Sequence, residues 1–431
     1  MHETPAPAPS APAPSAPAPS AAEHVPLAQR LAAYAVLAHD PAVPFIAADY
    51  WEKSEDHYRA VDAALGAFAA KAPGAERDYR AVLAAPTSTG PQHALRESLA
   101  ALLARHPQDA RRLADTVGEA DRHIWIDYHL GTGSGDRRVV PEPRVPDGAG
   151  ERDTAGGPAV RVVIPFRDSD SDGDGDGDGD GDNNGDGEGG GLRTRNLLAC
   201  LRALADQADG GPAVRVTVVE SDVEPRSRKL LEPLVDRYVF APKTGLFNKA
   251  WAVNVGVVDA ARDTPYVCVL DADILVDRHF LTRNTARLDA GDHGTHLPFR
   301  WSLSLDEEST RYAIEHRTLG GAADVPDSTL RGLLLREPPG GCLWLRGEVF
   351  HAVGGFDERF EGWGGEDDDV VARLAEAAPL VRYDDQLLHL NHPRPEMTRE
   401  DGVPFNAHIE PLSWHRGMGY GSADPFAPVT V

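Results

Sequence analysis

The chain has 431 residues, of which 41% are apolar, and a formal net charge of −25 at pH 7. This length allows two or three domains with a large core. The strong acidity argues against nucleic acid as a partner, because the backbone of a nucleic acid is itself anionic.

Neither a targeting signal nor a membrane segment is visible. The N-terminus lacks the basic region followed by an apolar run that a signal peptide requires. No stretch approaches the roughly 20 apolar residues that span a bilayer. Three scattered cysteines, Cys200, Cys268 and Cys342, predict buried thiols instead of a disulfide or zinc framework. We therefore expect a cytoplasmic protein with no integral membrane segment.

The first third of the chain divides into a tail, a helical region and a linker. Residues 1–22 are mostly Ala, Pro and Ser, which predicts a disordered tail. Residues 23–135 predict a helical N-terminal domain, because their apolar side chains recur at helical spacing. Residues 136–158 are rich in Gly, Pro and charge and predict a linker. The clearest helical patterns cover residues 58–70, 77–84, 94–105 and 111–126.

Residues 159–395 predict an α/β domain, because strand-like apolar runs alternate with helical patterns. The strand-like runs cover residues 160–164, 214–219, 266–270, 296–305 and 342–345. The helical patterns cover residues 197–204, 228–235 and 248–261. Ligands of such sheets usually bind beyond the carboxyl ends of the strands. The remaining residues, 396–431, are expected to form a C-terminal tail or lid.

An acidic insert, residues 168–190, interrupts the α/β pattern after its first strand. Nine Asp and one Glu in residues 168–188 carry ten of the formal negative charges. No register completes an EF-hand loop, since Glu188 would require an Asp at position 177, which is Gly. We expect a disordered, solvated excursion that leaves the domain intact, because the entropy cost of closing a loop grows slowly with its length.

Two groups of residues have the types that bind a divalent cation. Asp271 and Asp273 directly follow the strand-like run 266–270, where two carboxylates can share a hard cation or can simply cap the strand end. Either imidazole of His389 and His392 could complete a site with Asp273; packed or solvated histidines are the alternative. A mixed oxygen and nitrogen site favours Mn²⁺, with Mg²⁺ as the other candidate.

A second set of residues has the types that bind a nucleotide. Pro165, Phe166 and Arg167 end the first strand, and a guanidinium can hold a phosphate bidentately. Phe247 and Lys249 open a helix, where a base could stack and a phosphate could meet backbone N–H groups. Ordinary helix-start chemistry with a solvated cation is the alternative for each group.

The most informative segment is residues 362–369, which read Gly-Trp-Gly-Gly-Glu-Asp-Asp-Asp at the start of a helical pattern. Acidic residues favour a helix N-terminus because the helix dipole is positive there. Four in succession exceed what capping requires, so a functional role is expected. Asp369 is the one of the four that we expect to serve only as a helix-start charge.

Taken in order along the chain, these motifs resemble the catalytic domain of the β-1,4-galactosyltransferases and of related bacterial GT-A glycosyltransferases. The resemblance covers residues 159–395, and the 362–369 segment is its most specific part. It implies a GT-A type mixed, mainly parallel sheet flanked by helices. The helical region 23–135 lies outside it.

The resemblance also implies a role for each matching residue. Asp367 would be the catalytic base, and the acceptor would contact Trp363 and Asp368. The metal would be held by Asp273 and His392, with His389 standing where the family has Met. The UDP-sugar donor would contact Pro165, Phe166, Arg167, Phe247, Lys249, Asp271, Gly341 and Glu366.

The activity implied by the resemblance is inverting, metal-assisted transfer of a hexose from a UDP-sugar to a hydroxyl of a glycan or another acceptor. A polysaccharide-polymerase-type or GalNAc-type transferase is the alternative within the same class. A metal-dependent hydrolase using Asp271, Asp273, Asp367 and His392 is an alternative of another class, and a sugar-nucleotide-binding protein without catalysis is a third. The donor sugar, the acceptor and the role of the helical region stay open.

Overall fold

The computed structural model describes residues 24–131, 160–168, 191–208, 211–258, 265–291, 293–393 and 398–423. The chain forms two compact units, Met1–Tyr128 and His129–Val431. The predicted tail 1–22, the linker 136–158 and residues 169–190 of the predicted insert lie outside the described residues.

The first unit is helical, which confirms the predicted helical N-terminal region. Proline in the first two positions of α1, α5 and α7 supports these helix starts, because its missing N–H would be unpaired there in any case. The helices are α1 (Val25–His39), α2 (Val43–Ile46), α3 (Ala48–Glu52), α4 (Glu55–Ala69), α5 (Pro73–Ala84), α6 (Thr89–Arg105) and α7 (Pro107–Asp121).

The end of this region differs from the prediction. The helical pattern over residues 111–126 extends too far: α7 ends at Asp121, and a strand, β1 (Ile126–Leu130), follows. The alternation of apolar and polar residues in β1 covers only five residues, which is too short to distinguish a strand from the end of a helical pattern. Arg30 fixes the end of α7, because its Nε donates to the Asp121 carboxylate at 2.8 Å, and Tyr34 donates to the same carboxylate.

The second unit is built from a sheet flanked by helices. Its strands are β2 (Val160–Phe166), β3 (Val214–Glu220), β4 (Arg237–Phe240), β5 (Tyr266–Leu270), β6 (Ile274–Leu275), β7 (Thr295–Leu305), β8 (Arg331–Arg336), β9 (Cys342–Arg346) and β10 (Leu380–His389). Its helices are α8 (Leu192–Ala205), α9 (Arg228–Leu231), α10 (Lys249–Val258), α11 (Phe280–Ala290), α12 (Glu307–Ile314), α13 (Gly347–Val353) and α14 (Glu366–Ala377). Single helical turns lie at Glu232–Leu234, Glu315–Leu319, Asp327–Thr329 and Arg416–Met418.

The sheet of this unit is mixed, which confirms the predicted architecture. Its strands follow the order β8-β7-β9-β5-β2-β3-β4, and β10 pairs with both β7 and β6. The two longest ladders, β10 with β7 and β2 with β3, are parallel, whereas β9 runs antiparallel to β5 and β7. Every residue of β2 and β5 is buried, as expected for strands covered on both faces. The three cysteines are buried and free, as predicted.

The pairing register brings the candidate residues to one edge of the sheet. Since β2 and β5 are parallel neighbours, Arg167 after β2 and Asp271 after β5 leave the sheet on the same side. On β10, His389 is paired with Ile274 of β6, so it lies beside Asp273. The fold thereby joins residues that are more than one hundred positions apart in sequence.

Four strands of this unit, β4, β6, β8 and β10, were absent from the predicted set, and the most important is β10. It is highly polar, and its Asp385 is neutralised by Arg283 and Arg287 of α11, at 2.8 and 2.6 Å. Such ion pairs allow a charged strand to lie beside β7 without an apolar run. Among the described residues, no helix has the length and apolar character needed to cross a membrane; the cytoplasmic location stays a prediction.

Candidate functional site

Three side chains that can bind a metal, one carboxylate and two imidazoles, meet at the end of β10. Ligand atoms of Asp273, His389 and His392 all lie within 4.8 Å of one another. His392 Nε2 is 2.9 Å from one Asp273 carboxylate oxygen, and His389 Nε2 is 3.6 Å from the other. Burial alone would raise the pKa of Asp273, but the two imidazoles and Arg193 outweigh it and hold this pKa below its ordinary value.

The three side chains fit a divalent cation on their own chemistry. The Oδ1 atom of Asp273 is buried and accepts no hydrogen bond within the described part of the chain. His392 Nδ1 lies 2.7 Å from the carbonyl oxygen of Pro393, to which a proton on Nδ1 can be donated. Its Nε2 faces the Asp273 carboxylate at 2.9 Å, so either a proton or a cation must lie between these two atoms. One oxygen and two nitrogen ligands suit Mn²⁺.

A second cluster surrounds the ammonium of Lys249, at the start of α10. Its Nζ lies 2.8 Å from Asp367 and 3.0 Å from Asp271, and it is 4.0 Å from Glu366. The Lys249 side chain is only 12% exposed. Burial opposes its charge, but the surrounding carboxylates outweigh that effect and raise the pKa of Lys249 well above its ordinary value. No local pattern predicts that this lysine contacts Asp367, which lies 118 residues further along the chain.

The carboxylates of this cluster exceed its cations. Burial, with the neighbouring Asp367, raises the pKa of Glu366 to about 7. Burial also raises the pKa of Asp271 to about 6, although Lys249 opposes this. Near neutral pH the cluster therefore carries excess negative charge and holds a proton part of the time, as expected for acid and base groups that enzymes tune by burial.

The 362–369 segment has a backbone that requires its glycines. Gly362, Gly364 and Gly365 have φ values of +73°, +96° and +97°, a region that L side chains rarely adopt. At Gly365, which precedes α14, a Cβ would lie 2.6 Å from the ring of Phe360. The segment therefore makes a sharp turn that leaves the Trp363 side chain 46% exposed.

The four acidic residues that follow have different surroundings. Glu366 and Asp367 face Lys249, whereas Asp368 is exposed. The expectation that Asp369 is only a helix-start charge is wrong, because its carboxylate is buried and pairs with Arg373 at 2.7 Å. Arg373 in turn donates to the carbonyl oxygens of Val353 and Gly355. Arg373 thus anchors α14 to the turn after α13, and Asp369 holds its guanidinium in place.

The residues predicted at the end of β2 differ in how far they can reach a ligand. The Phe166 side chain is 2% exposed and belongs to the core, so its ring cannot line a nucleotide pocket in this arrangement. Pro165 is buried as well. The Arg167 guanidinium donates to the carbonyl oxygens of Ser221 and Gly245, each at 2.6 Å, and lies 5.6 Å from the centroid of the Phe247 ring. Arg167 therefore braces the loop that precedes α10.

Two adjacent glycines just before β9, Gly340 and Gly341, leave room for Asp367 and Asp271 of the Lys249 cluster. A Cβ at Gly340 would lie 2.1 Å from a carboxylate oxygen of Asp367, so any larger residue would displace this carboxylate. Gly341, with a φ of +100°, accepts a hydrogen bond from the Asp271 backbone at 3.0 Å. Only Gly341 was assigned a role from the sequence; the Gly340-Gly341 pair was visible, but its contact with Asp367 depends on the fold.

Two family models match the second unit. The model for glycosyl transferase family 2 matches residues 193–351, and the model described as the N-terminal domain of galactosyltransferase matches residues 335–393. This unit resembles the GT-A glycosyltransferases. The second match includes Gly340, Gly341, the 362–369 segment and both candidate metal-binding histidines, so the matched residues coincide with the site of the GT-A-like unit.

Curated relatives of the GT-A-like unit include β-1,4-galactosyltransferases. Bovine β-1,4-galactosyltransferase 1 is 25% identical over 130 residues, which cover 30% of this chain and 25% of the relative. Human β-1,4-galactosyltransferase 4 is 26% identical over 171 residues, 37% of this chain and 38% of the relative. Human β-1,4-galactosyltransferase 6 is 29% identical over 128 residues, which cover 30% of this chain and 26% of the relative. The chain thus spans between a quarter and two-fifths of these relatives' length.

Solved structures overlap the chain in part. Staphylococcus aureus TarS is 12% identical with a TM-score of 0.34, over 54% of this chain and 60% of that one. Drosophila β-1,4-galactosyltransferase 7, in complex with manganese, UDP-Gal and xylobiose, is 16% identical with a TM-score of 0.30. The overlap covers 54% of this chain and 71% of that one. These scores describe a partial overlap only.

Proposed function

We propose that the protein is an inverting, metal-assisted glycosyltransferase that moves a hexose from a UDP-sugar to a hydroxyl of a glycan or another acceptor. One observation carries the proposal: Asp271 and Asp273, two residues apart, connect a metal-ligand triad with a buried base cluster at one edge of the sheet. The family matches and the galactosyltransferase relatives support the same class of reaction.

On the donor side, Asp273, His389 and His392 would hold the cation. When bound, Mn²⁺ supplies positive charge that stabilises the negative charge developing on the diphosphate of the departing UDP. Mg²⁺ is the alternative cation. Asp271 lies between the triad and Lys249, where it can fix the position of the ammonium. Phe247 and Arg167 would border the nucleotide, and Gly341 leaves room beside β9 for the donor sugar.

On the acceptor side, Asp367 would take the proton from the attacking hydroxyl. A single base on the face opposite the leaving group gives one displacement and inverts the anomeric centre, as in inverting glycosidases. The exposed ring of Trp363 offers an apolar surface on which a sugar can stack. Asp368, five residues further along the chain, is exposed and would accept hydrogen bonds from hydroxyls of the acceptor, while Glu366 would contact the donor sugar.

The test is a donor screen with the full-length protein. UDP-galactose, UDP-glucose, UDP-GlcNAc and UDP-GalNAc are each incubated with MnCl₂, MgCl₂ or EDTA, with and without a panel of mono- and disaccharide acceptors. We expect UDP release that needs both metal and acceptor. NMR of the product should show an anomeric configuration opposite to that of the donor sugar.

The alternatives give different outcomes in the same screen. Release of UDP or phosphate at an equal rate without any acceptor indicates a metal-dependent hydrolase. Preference for UDP-GalNAc, or products longer than one added sugar, indicates the GalNAc-type or polymerase-type reaction. Binding of UDP without turnover of any donor indicates a binding protein, and the proposed function then fails.

A further inference from the structure

The C-terminal residues 398–423 pack against the candidate acceptor region. The Leu412 backbone N–H donates to the Asp369 carboxylate at 3.2 Å, and Trp414 Nε1 donates to the Gly354 carbonyl at 2.8 Å. This part of the chain, for which a tail or lid was predicted, is thus attached to the start of α14 and to the turn after α13. It lies beyond the residues that the family models match.

Within this stretch, Asn406 reaches the backbone on both sides of Trp363. Its Nδ2 donates to the carbonyl oxygen of Gly364 at 2.8 Å and approaches that of Trp363 at 3.4 Å. Its Oδ1 accepts from the Glu361 N–H at 3.1 Å. Only this orientation of the amide places a donor at each carbonyl and an acceptor at the N–H. One side chain therefore links three successive parts of the loop.

The loop needs such an attachment because its own sequence cannot hold it rigid. Gly362 and Gly364, on either side of Trp363, have positive φ and wide conformational freedom. The Trp363 ring is half exposed, so core packing does not orient it. The Gly362 N–H also donates to the Phe247 carbonyl at 2.8 Å. The loop is thus held between Asn406 and the helix start at Phe247.

We propose that Asn406 is a positioning residue that sets the acceptor affinity by fixing the backbone on both sides of Trp363. The proposal rests on the proposed function, in which Trp363 carries the acceptor sugar. Near the loop, Phe405 and Leu246 lie where a side chain at Gly362 would meet them, at 3.4 and 3.2 Å. The acceptor class that fits is a sugar whose apolar C–H face stacks on the exposed Trp363 ring.

Asn406→Ala and Asn406→Asp test the proposal. Alanine removes all three hydrogen bonds; aspartate keeps the acceptor for Glu361 but loses the donors and faces two carbonyls with a negative charge. With MnCl₂ and the UDP-sugar and acceptor that the screen identifies, both variants should lose about tenfold in acceptor kcat/KM, mainly through KM. Binding of Mn²⁺–UDP by calorimetry should be unchanged. Glu400→Ala, an exposed position in the same stretch, is the matched control and should match wild type.

Hydrogen–deuterium exchange gives a readout that does not need turnover. In Asn406→Ala, the amides of residues 361–365 should exchange faster, while those of α14 should keep their rates. Unchanged exchange in this loop overturns the proposal, and so does faster exchange with an unchanged acceptor KM. Loss of Mn²⁺–UDP binding in the same variant also overturns it, because it shows general damage.

The two proposals can fail separately. A wild-type protein that transfers no sugar to any acceptor refutes the proposed function, and the acceptor role of Asn406 with it. A wild-type protein that transfers sugar, beside an Asn406→Ala variant with the same acceptor KM, refutes only the positioning role.

Discussion

The ammonium of Lys249 lies between Asp271 and Asp367, 3.0 Å from the first carboxylate and 2.8 Å from the second. It joins the start of α10, the end of β5 and the start of α14 at one buried point. A single cation thereby orients the candidate base next to the candidate metal site.

Loss of this cation should destabilise the fold. Lys249→Met leaves buried carboxylates without their partner, and we expect a loss of about 3 kcal/mol in the free energy of unfolding, the scale observed when one member of a buried ion pair is removed. Urea denaturation measures it. Lys249→Arg keeps the charge and should lose less; equal stability of Lys249→Met and wild type would contradict the prediction.

Removal of the candidate base should separate binding from catalysis. Asp367→Asn keeps the size of the side chain but cannot take a proton, so transfer should fall by about 10²–10⁴-fold. Affinity for Mn²⁺–UDP, measured by calorimetry, should stay close to wild type. Asp368→Asn is the matched control at the neighbouring exposed position and should affect acceptor KM more than kcat. Normal turnover by Asp367→Asn would show that the base lies elsewhere.

Removal of the candidate metal ligand should act on binding itself. Asp273→Ala deletes the only oxygen ligand of the triad, so binding of Mn²⁺ should weaken by at least about tenfold. Electron paramagnetic resonance of free Mn²⁺ measures this without donor or acceptor. His408→Ala removes an exposed imidazole outside the triad and should leave Mn²⁺ affinity unchanged. Equal Mn²⁺ affinity in Asp273→Ala and wild type would rule out this site.

The buried carboxyl of Glu366 should make stability depend on pH. Its pKa is raised from 4.5 to about 7 in the folded chain, so the folded state binds the proton more tightly than the unfolded state. The resulting stabilisation is complete below about pH 4.5 and is lost as pH rises through about 7, a change of about 3 kcal/mol. Urea midpoints of wild type and Glu366→Gln across this range measure it. The variant should lose less stability with rising pH; parallel curves would contradict the assignment.

The acidic insert should be dispensable. Asp168, its first residue, accepts a hydrogen bond from Thr194 in the first turn of α8 at 2.6 Å, so the two ends of the insert already lie close together. Replacing residues 169–190 by a short Gly-Ser linker should therefore preserve Mn²⁺–UDP binding and transfer. A variant that folds, as judged by circular dichroism, but no longer binds Mn²⁺–UDP would show that the insert contributes to the donor site.

Local sequence was sufficient to predict the elements whose residues are mostly buried in the core. The apolar runs of β2, β3 and β5 were predicted within two residues of their observed ends, because strands buried on both faces are continuously apolar. The 362–369 segment was visible as a glycine-rich turn before an acidic helix start. By contrast, β10 escaped prediction, since its charges are neutralised by α11 and not by neighbours in sequence.

The sequence by itself therefore determined the alternation of helices and strands, the order of the motifs and the resemblance to GT-A glycosyltransferases. Only the tertiary structure decided that Phe166 is buried in the core, that Lys249 pairs with Asp367 and that Asn406 holds the loop around Trp363. The physical reason is the range of the forces involved. Periodicity and helix starts depend on neighbours within a few residues, whereas hydrogen bonds and ion pairs at the site join residues that only the folded sheet brings within 3 Å or so of each other.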